Sequence, residues 1–191
     1  VENLARSRKQ DIIFSILKAH AKSGETYFAP APPLEALRAA LSLAMKRIGA
    51  HQPIWDPLSA NRAQLSFVDA KRAYSNAKIE ESDVPTFVCL PTEDPEHETM
   101  RGRLLRHMYG TLGASDGWQE EYSTMLLSRG FQQGVSCPNL FHHFDRQIHT
   151  SVHEDDFTPE GGKLALDWSE SEAAKKYEFT MSPRLGPGPD D

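Results

Sequence analysis

Asp155 and Asp156 stand side by side at the end of a run, Thr150-Ser151-Val152-His153-Glu154-Asp155-Asp156-Phe157, that reads as a β-strand. Adjacent carboxylates repel each other, and a divalent cation removes the repulsion. Asp69 closes a second strand-like run, Leu65-Ser66-Phe67-Val68-Asp69. If the two strands are neighbours in one sheet, three carboxylates converge on one spot. Two Mg²⁺ ions about 3.5–4 Å apart need such a cluster to activate a 3′-hydroxyl and steady a leaving pyrophosphate. Mg²⁺ prefers carboxylate, water and phosphate oxygens, so the chemistry requires no His or Cys. A solvated turn is the competing reading of the Asp155-Asp156 pair.

His142, His143, His149 and His153 lie around the same stretch and raise a different possibility, a His/Asp metal-dependent hydrolase. Strand alternation sends His142 and His143 to opposite faces, whereas His149 and His153 share a parity. There is no His-Glu-x-x-His or His-x-His pattern to support a zinc site. Titrating surface histidines account for these residues more simply.

These groups need a scaffold, and three helices are legible. After Pro30-Ala31-Pro32-Pro33, the residues Leu34, Leu37, Leu41, Ala44, Met45 and Ile48 recur at helical spacing, and Gly49 ends the run. A helix over Ser115 to Arg129 places Trp118, Tyr122, Met125 and Leu126 inward, with Gly130 as its stop. A third helix spans Lys163 to Tyr177. Leu140 to Phe144 and Gln147 to Val152 read as a β-hairpin turning at Asp145-Arg146. Val84 to Leu90 reads as an edge strand or hairpin arm, Thr92 to Met100 as an acidic loop, and Ala70 to Ala77 as a helical turn. Ile12 to Leu17 forms an apolar run near a small basic group of Arg6, Arg8 and Lys9.

The chain has 191 residues, enough for one domain or slightly more, and 39% are hydrophobic. Its formal net charge of −6 argues against a freestanding nucleic-acid binder. Cys89 and Cys137 suit reduced thiols in an intracellular setting. No signal peptide and no membrane-spanning apolar run is visible. The first residue, Val1, hints at a fragment or a processed piece.

Several segments together resemble the copia-type retrotransposon reverse transcriptases. Leu65-Ser66-Phe67-Val68-Asp69-Ala70-Lys71-Arg72-Ala73-Tyr74 is similar to the family's first palm motif. Met108-Tyr109-Gly110-Thr111-Leu112-Gly113-Ala114-Ser115-Asp116-Gly117-Trp118 is similar to its Leu-Tyr-Gly-Leu-Lys-Gln-Ala-Pro-Arg-x-Trp motif. Gly130-Phe131, Gly134, Cys137 and Leu140-Phe141 resemble its Gly-Phe … Asp-x-Cys-Leu-Phe segment, and Val152-His153-Glu154-Asp155-Asp156 its Tyr-Val-Asp-Asp hairpin. Thr26-Tyr27-Phe28-Ala29-Pro30 resembles its Thr-Phe-Ala-Pro stretch. The matches follow the family's order over about residues 25 to 187.

The resemblance implies an α+β reverse-transcriptase palm, an antiparallel sheet backed by helices, with partial fingers. It implies a partial-fingers or disordered segment over 1–24, a palm-like domain over 25–182 and a flexible tail over 183–191. Asp69, Asp155 and Asp156 would be catalytic metal ligands for two Mg²⁺ ions, with Mn²⁺ as a substitute. Tyr74 and Gly113 would face the incoming nucleotide. The implied activity is RNA-directed DNA synthesis by nucleotidyl transfer within a retrotransposon polyprotein. The implied partners are an RNA or DNA template–primer, dNTPs, and integrase and RNase H domains, without a membrane, in a cytoplasmic particle or the nucleus. Departures accompany the matches: Leu112-Gly113 replaces the family's Lys-Gln, Asp116 replaces its Arg, and His153-Glu154 replaces Tyr-Val. They favour the alternative of a non-catalytic relic or interaction module with the same fold.

Overall fold

A computed structural model describes residues 4–8, 34–49, 63–80, 83 and 85–186. The Ile12–Leu17 run, the Pro30–Pro33 breaker and the 51–62 loop lie outside the described residues. The chain divides into two compact units. One comprises Val1–Phe28 and Tyr74–Glu121, the other Ala29–Ala73 and Tyr122–Asp191.

The first unit is built on a small antiparallel sheet. Strand β1 (Leu4–Arg8) pairs along its whole length with a strand over Met100–Leu104, from Leu4 opposite Leu104 to Arg8 opposite Met100. The other edge of that strand carries Phe87–Val88. In chain order these last two are β4 (Phe87–Val88) and β5 (Met100–Leu104). The acidic loop before β5 winds through short turns in which Asp94 Oδ1 accepts from the Glu96 amide at 2.9 Å. Beyond β5, Arg106 Nη1 donates to the Asn76 carbonyl at 2.8 Å, and the His107 amide donates to the Ala77 carbonyl at 3.0 Å. These bonds tie the segment after β5 to the one around residue 77.

The second unit carries the larger sheet. Its strands are β2 (Ala63–Leu65), β3 (Val68–Ala70), β6 (Gln132–Gln133), β7 (Leu140–His143), β8 (Ile148–His153), β9 (Asp156–Gly162) and β10 (Phe179–Met181). They lie in the order β10-β3-β9-β8-β7-β6, with β2 also paired to β9. All the pairings are antiparallel. The expected single strand over Leu65–Asp69 is split into β2 and β3, both lying against β9. The break falls at Ser66-Phe67, where the Ser66 amide donates to the Pro159 carbonyl at 2.9 Å. Proline has no amide proton to return the bond, so the ladder is interrupted there.

The helices are α1 (Leu34–Gly49), α2 (Ala114–Ser128) and α3 (Lys163–Ala174). Trp118, Tyr122, Met125 and Leu126 of α2 are all buried, in keeping with their helical spacing. In α1, Ala44 is buried but Met45, expected on the inner face, is 58% exposed. The apolar stripe of α1 is therefore narrower than its leucine count suggests. The Leu34, Leu37 and Ile48 side chains lie outside the described residues.

The sheet has one apolar face and one polar face. Val68, Phe157 and Val152 occupy one cross-strand row and are all buried. Phe141 and Ile148 join them, each contributing about 1.5–3 kcal/mol by leaving water. Tyr122 meets this face edge-on, 5.6 Å from Phe157 and 6.1 Å from Phe141. Trp168 of α3 stacks on Phe131 at 6.4 Å and takes the His143 ring edge-on at 5.2 Å. The Arg146 guanidinium covers Trp168 at 3.8 Å from the ring centroid.

Residues 183–186, expected at the start of a flexible tail, return to this unit. Leu65 and Leu185 exchange two backbone hydrogen bonds of 2.8 Å. Arg184 reaches α3, with Nη2 2.5 Å from Glu170 Oε2 and Nη1 2.8 Å from Asp167 Oδ1. The buried Ser66 hydroxyl donates to Glu170 Oε1 at 2.8 Å.

Candidate functional site

The polar face of the larger sheet gathers the titratable groups. Because side chains alternate along a strand, the residues interleaved with Val68, Val152 and Phe157 point the other way. The register sets Asp69 opposite Asp156, and Asp156 opposite His153, in one row. The two-residue turn between β8 and β9 is Glu154-Asp155. The Ala70 amide donates to the Asp155 carbonyl at 2.8 Å, which fixes the turn against β3. The three expected carboxylates therefore share one corner of the second unit.

Their mutual effect is visible at Asp156. Its carboxyl is held above the ordinary aspartate range by partial burial, then by the negative charges of Asp155, Asp69 and Glu154, with His153 opposing. Glu154 takes a left-handed backbone conformation at φ 56°, which the first position of a tight hairpin turn favours for glycine. Among the described residues, no three His, Cys, Asp or Glu side chains stand together as a group ready to hold a metal ion. The donor chemistry suits a hard cation, whereas the side-chain placement does not supply a closed ligand set.

A second row on the same face runs His142–His149–Glu160 across β7, β8 and β9. The imidazoles of His142 and His149 stack at 4.2 Å with 6° between their planes. His149 Nδ1 lies 2.7 Å from Oε1 of Glu160, itself only 4% exposed. Sequence parity had favoured His149 with His153. The partner of His149 is instead His142 on the neighbouring strand, and no local signal announces a cross-strand register. His143 faces the opposite way and is buried against Phe131 and Trp168. Between the two rows, the hydroxyls of Ser151 and Thr158 meet across β8 and β9.

Tyr74 and Gly113 fall in the first unit. Tyr74 is buried, its ring 4.3 Å from that of Tyr109. Gly113 sits immediately before α2 at φ 73°, and its carbonyl accepts the Gly117 amide at 2.9 Å. A residue with a Cβ would be strained at that φ, so glycine is required by the backbone there. His107 is buried beside Gly117, and burial holds its imidazole below the ordinary range, with Asp83 and Asp116 opposing. Neither His107 nor the His142–His149 stack was singled out by motif.

Among the described residues no helix is long and apolar enough to cross a membrane.

Comparison with known proteins changes the assignment drawn from motifs. Residues 1–25 match the N-terminal domain of the Rho termination factor. The chain is similar to transcription termination factor Rho of Buchnera aphidicola subsp. Baizongia pistaciae (strain Bp), 82% identical over 28 residues, which is 15% of this chain and 7% of that protein. Rho of Pseudomonas fluorescens biotype C is 80% identical over 25 residues, covering 13% and 6%. Rho of Escherichia coli (strain K12) is 79% identical over 28 residues, covering 15% and 7%. The chain thus spans about 7% of the length of the curated relatives it matches. These findings overturn the copia-type reverse-transcriptase resemblance, and with it RNA-directed DNA synthesis, DNA integration, and the template–primer, dNTP, integrase and RNase H partners. Near-identity over a continuous 28-residue stretch is far more specific than short motifs scattered along the chain, several of which already departed from the family at Leu112-Gly113, Asp116 and His153-Glu154.

Proposed function

We propose that residues 1–25 are a transcription-termination segment and that the chain uses it to engage RNA inside the cell. The continuous similarity to transcription termination factors carries this reading. Charge supports it. The segment holds five cations (Arg6, Arg8, Lys9, Lys18, Lys22) and three anions (Glu2, Asp11, Glu25), a net of +2 in a chain of −6. The remaining residues therefore sum to −8, and the positive charge is concentrated where the similarity lies. The paired strands β1 and β5 read Leu-Ala-Arg-Ser-Arg against Met-Arg-Gly-Arg-Leu, with four arginines and no carboxylate between them. In the register Arg101 and Arg103 stand opposite Ser7 and Ala5 rather than opposite Arg6 and Arg8, so the sequence run Arg6-Ser7-Arg8-Lys9 is the basic group offered to phosphate, and binding through it is salt-dependent.

The test is polarisation of a labelled single-stranded RNA titrated with the full chain at low and moderate salt. Binding should weaken as salt rises and fall further when Arg6, Arg8 and Lys9 are replaced together by Ala. Absence of binding at low salt, or binding indifferent to the triple replacement, would sink the reading.

A second reading concerns the Asp69–Asp156 corner, where the directly opposed register is the supporting observation. We infer that Asp69, Asp155 and Asp156 attract Mg²⁺ or Mn²⁺ as a counter-charge. Mg²⁺ sheds water reluctantly, so the ion is held through its hydration shell rather than by a closed set of direct ligands. Either ion should raise the melting temperature, and Asp156→Asn should reduce that rise. Equal shifts in the two proteins would exclude the corner as the site.

A further inference from the structure

We propose that His107 is a proton-operated latch: its neutral ring pins the turn 108–113 against the start of α2, and protonation frees that turn. Leu104 and Ala114 are buried, and between them His107 is the one buried residue, at 5% exposure. Met108, Tyr109 and Leu112 are 42%, 50% and 69% exposed. The turn bonds to itself, since the Thr111 amide and hydroxyl both donate to the Met108 carbonyl, at 3.1 and 2.7 Å. Gly110 and Gly113, at φ 80° and 73°, supply two flexible joints. A segment that buries so little apolar surface opens at low cost, ahead of the whole fold.

The latch is a titratable group in a place that suits only its neutral form. Nδ1 of His107 is buried with no hydrogen-bond partner, so a proton there meets no acceptor. The ring packs on Gly117 in the first turn of α2, so closely that a Cβ at that position would lie 2.6 Å from Cδ2. Helix starts carry partial positive charge, which repels an imidazolium. Two carboxylates act the other way, Asp83 from the segment after Ala77 and Asp116 from α2, and burial outweighs both. An ordinary histidine titrates near 6.5, so acidification below that value drives the ring toward solvent. With the ring displaced, the amide bonds from Ala114 to the Thr111 carbonyl (3.3 Å) and from Gly117 to the Gly113 carbonyl (2.9 Å) lose their support.

Hydrogen exchange of the full 191-residue chain, followed amide by amide by NMR as pH falls from about 8 to about 5, tests the latch. Corrected for intrinsic exchange, protection of the Gly117 amide should fall by up to about tenfold per pH unit below 6.5. The Val152 amide, bonded to the Asn139 carbonyl in the second unit, should keep its protection. His107→Gln stays neutral and should hold the Gly117 protection constant with pH. If that variant fails to fold, the His107 ring resonances of the unmodified chain take its place, and they should titrate over the same pH range as the opening. The proposal is overturned if Gly117 protection does not change with pH, if Val152 loses protection in parallel, if a folded His107→Gln variant still opens on acidification, or if the ring titrates outside the opening range.

Discussion

Asp69 and Asp156 lie directly opposite each other across β3 and β9, and the Asp155 carbonyl is bonded to the amide that follows Asp69. Like charges facing across a strand pair destabilise a sheet. Partial burial first, and then this repulsion, give a native state that holds its Asp156 proton more tightly than the unfolded chain does. Above the raised value the repulsion is fully present, and it is relieved as pH falls through that value toward the unfolded one. Asp156→Asn should therefore stabilise the chain at pH 7, by less than about 1 kcal/mol because the group is exposed and screened. Urea melts of the two proteins should differ at pH 7 and converge under acid conditions. A stabilisation that persists unchanged at low pH would mean that the Asp156 charge is not its cause.

The turn joining β8 and β9 adds a backbone penalty to this electrostatic one. Glu154 at φ 56° occupies a region that residues with a Cβ visit at a cost. Glu154→Gly should stabilise by about 1 kcal/mol at neutral pH, since it removes both the strain and one of the charges acting on Asp156. Glu154→Gln removes only the charge. Chemical denaturation of both variants separates the contributions, and equal effects would show that backbone strain contributes nothing.

How much of this was legible beforehand depends on whether the signal is local. The spacing of Trp118, Tyr122, Met125 and Leu126 announced α2, and two short runs on either side of Asp145-Arg146 announced β7 and β8 as a hairpin. By contrast, β9 reads Asp-Phe-Thr-Pro-Glu-Gly-Gly, and its proline and paired glycines argue against a strand. It is nonetheless central, because β3 and β8 both pair with it and supply the hydrogen bonds its composition disfavours. Strand β5, Met-Arg-Gly-Arg-Leu, was hidden for a similar reason, being charged and interrupted by glycine. The Asp69–Asp156 juxtaposition followed from the supposition that their strands were neighbours. The stacking of His142 on His149 did not, because register between strands is set by the whole sheet. Arg6, Arg8 and Lys9 were visible as a basic group, but only similarity over a continuous stretch linked them to termination factors.

Arg184 binds the segment after β10 to α3. Its guanidinium engages Glu170 and Asp167, and Glu170 also accepts from the buried Ser66 hydroxyl. Removing the cation leaves a largely buried carboxylate with one neutral donor. Arg184→Ala should cost about 1–3 kcal/mol, the range for stripping a charge-assisted partner from a partly buried group. Arg184→Ala combined with Glu170→Gln should recover part of the loss, because the uncompensated charge has gone. A double variant as unstable as the sum of the two singles would show that the residues act independently.

Gly117 is a tight glycine position among the described residues of the first unit. A Cβ placed there would lie 2.6 Å from His107 Cδ2 and closer still to Nε2, with the imidazole buried. Two effects of Gly117→Ala compete. Alanine within a helix gains about 1 kcal/mol over glycine. Displacing a buried ring costs about 1–3 kcal/mol. Since Gly117 lies in the first turn of α2, where the helix gain is smallest, the steric term should dominate and the variant should be destabilised. In a His107→Ala background the obstacle is absent, so the same substitution should become neutral or stabilising. The pH profile gives an independent check. Burial holds the His107 imidazole neutral in the folded chain, so stability should fall as pH drops below the ordinary histidine value toward the lowered one. His107→Ala should flatten that limb. A limb unchanged in His107→Ala, or a Gly117→Ala variant destabilised equally in both backgrounds, would refute the packing of His107 on Gly117.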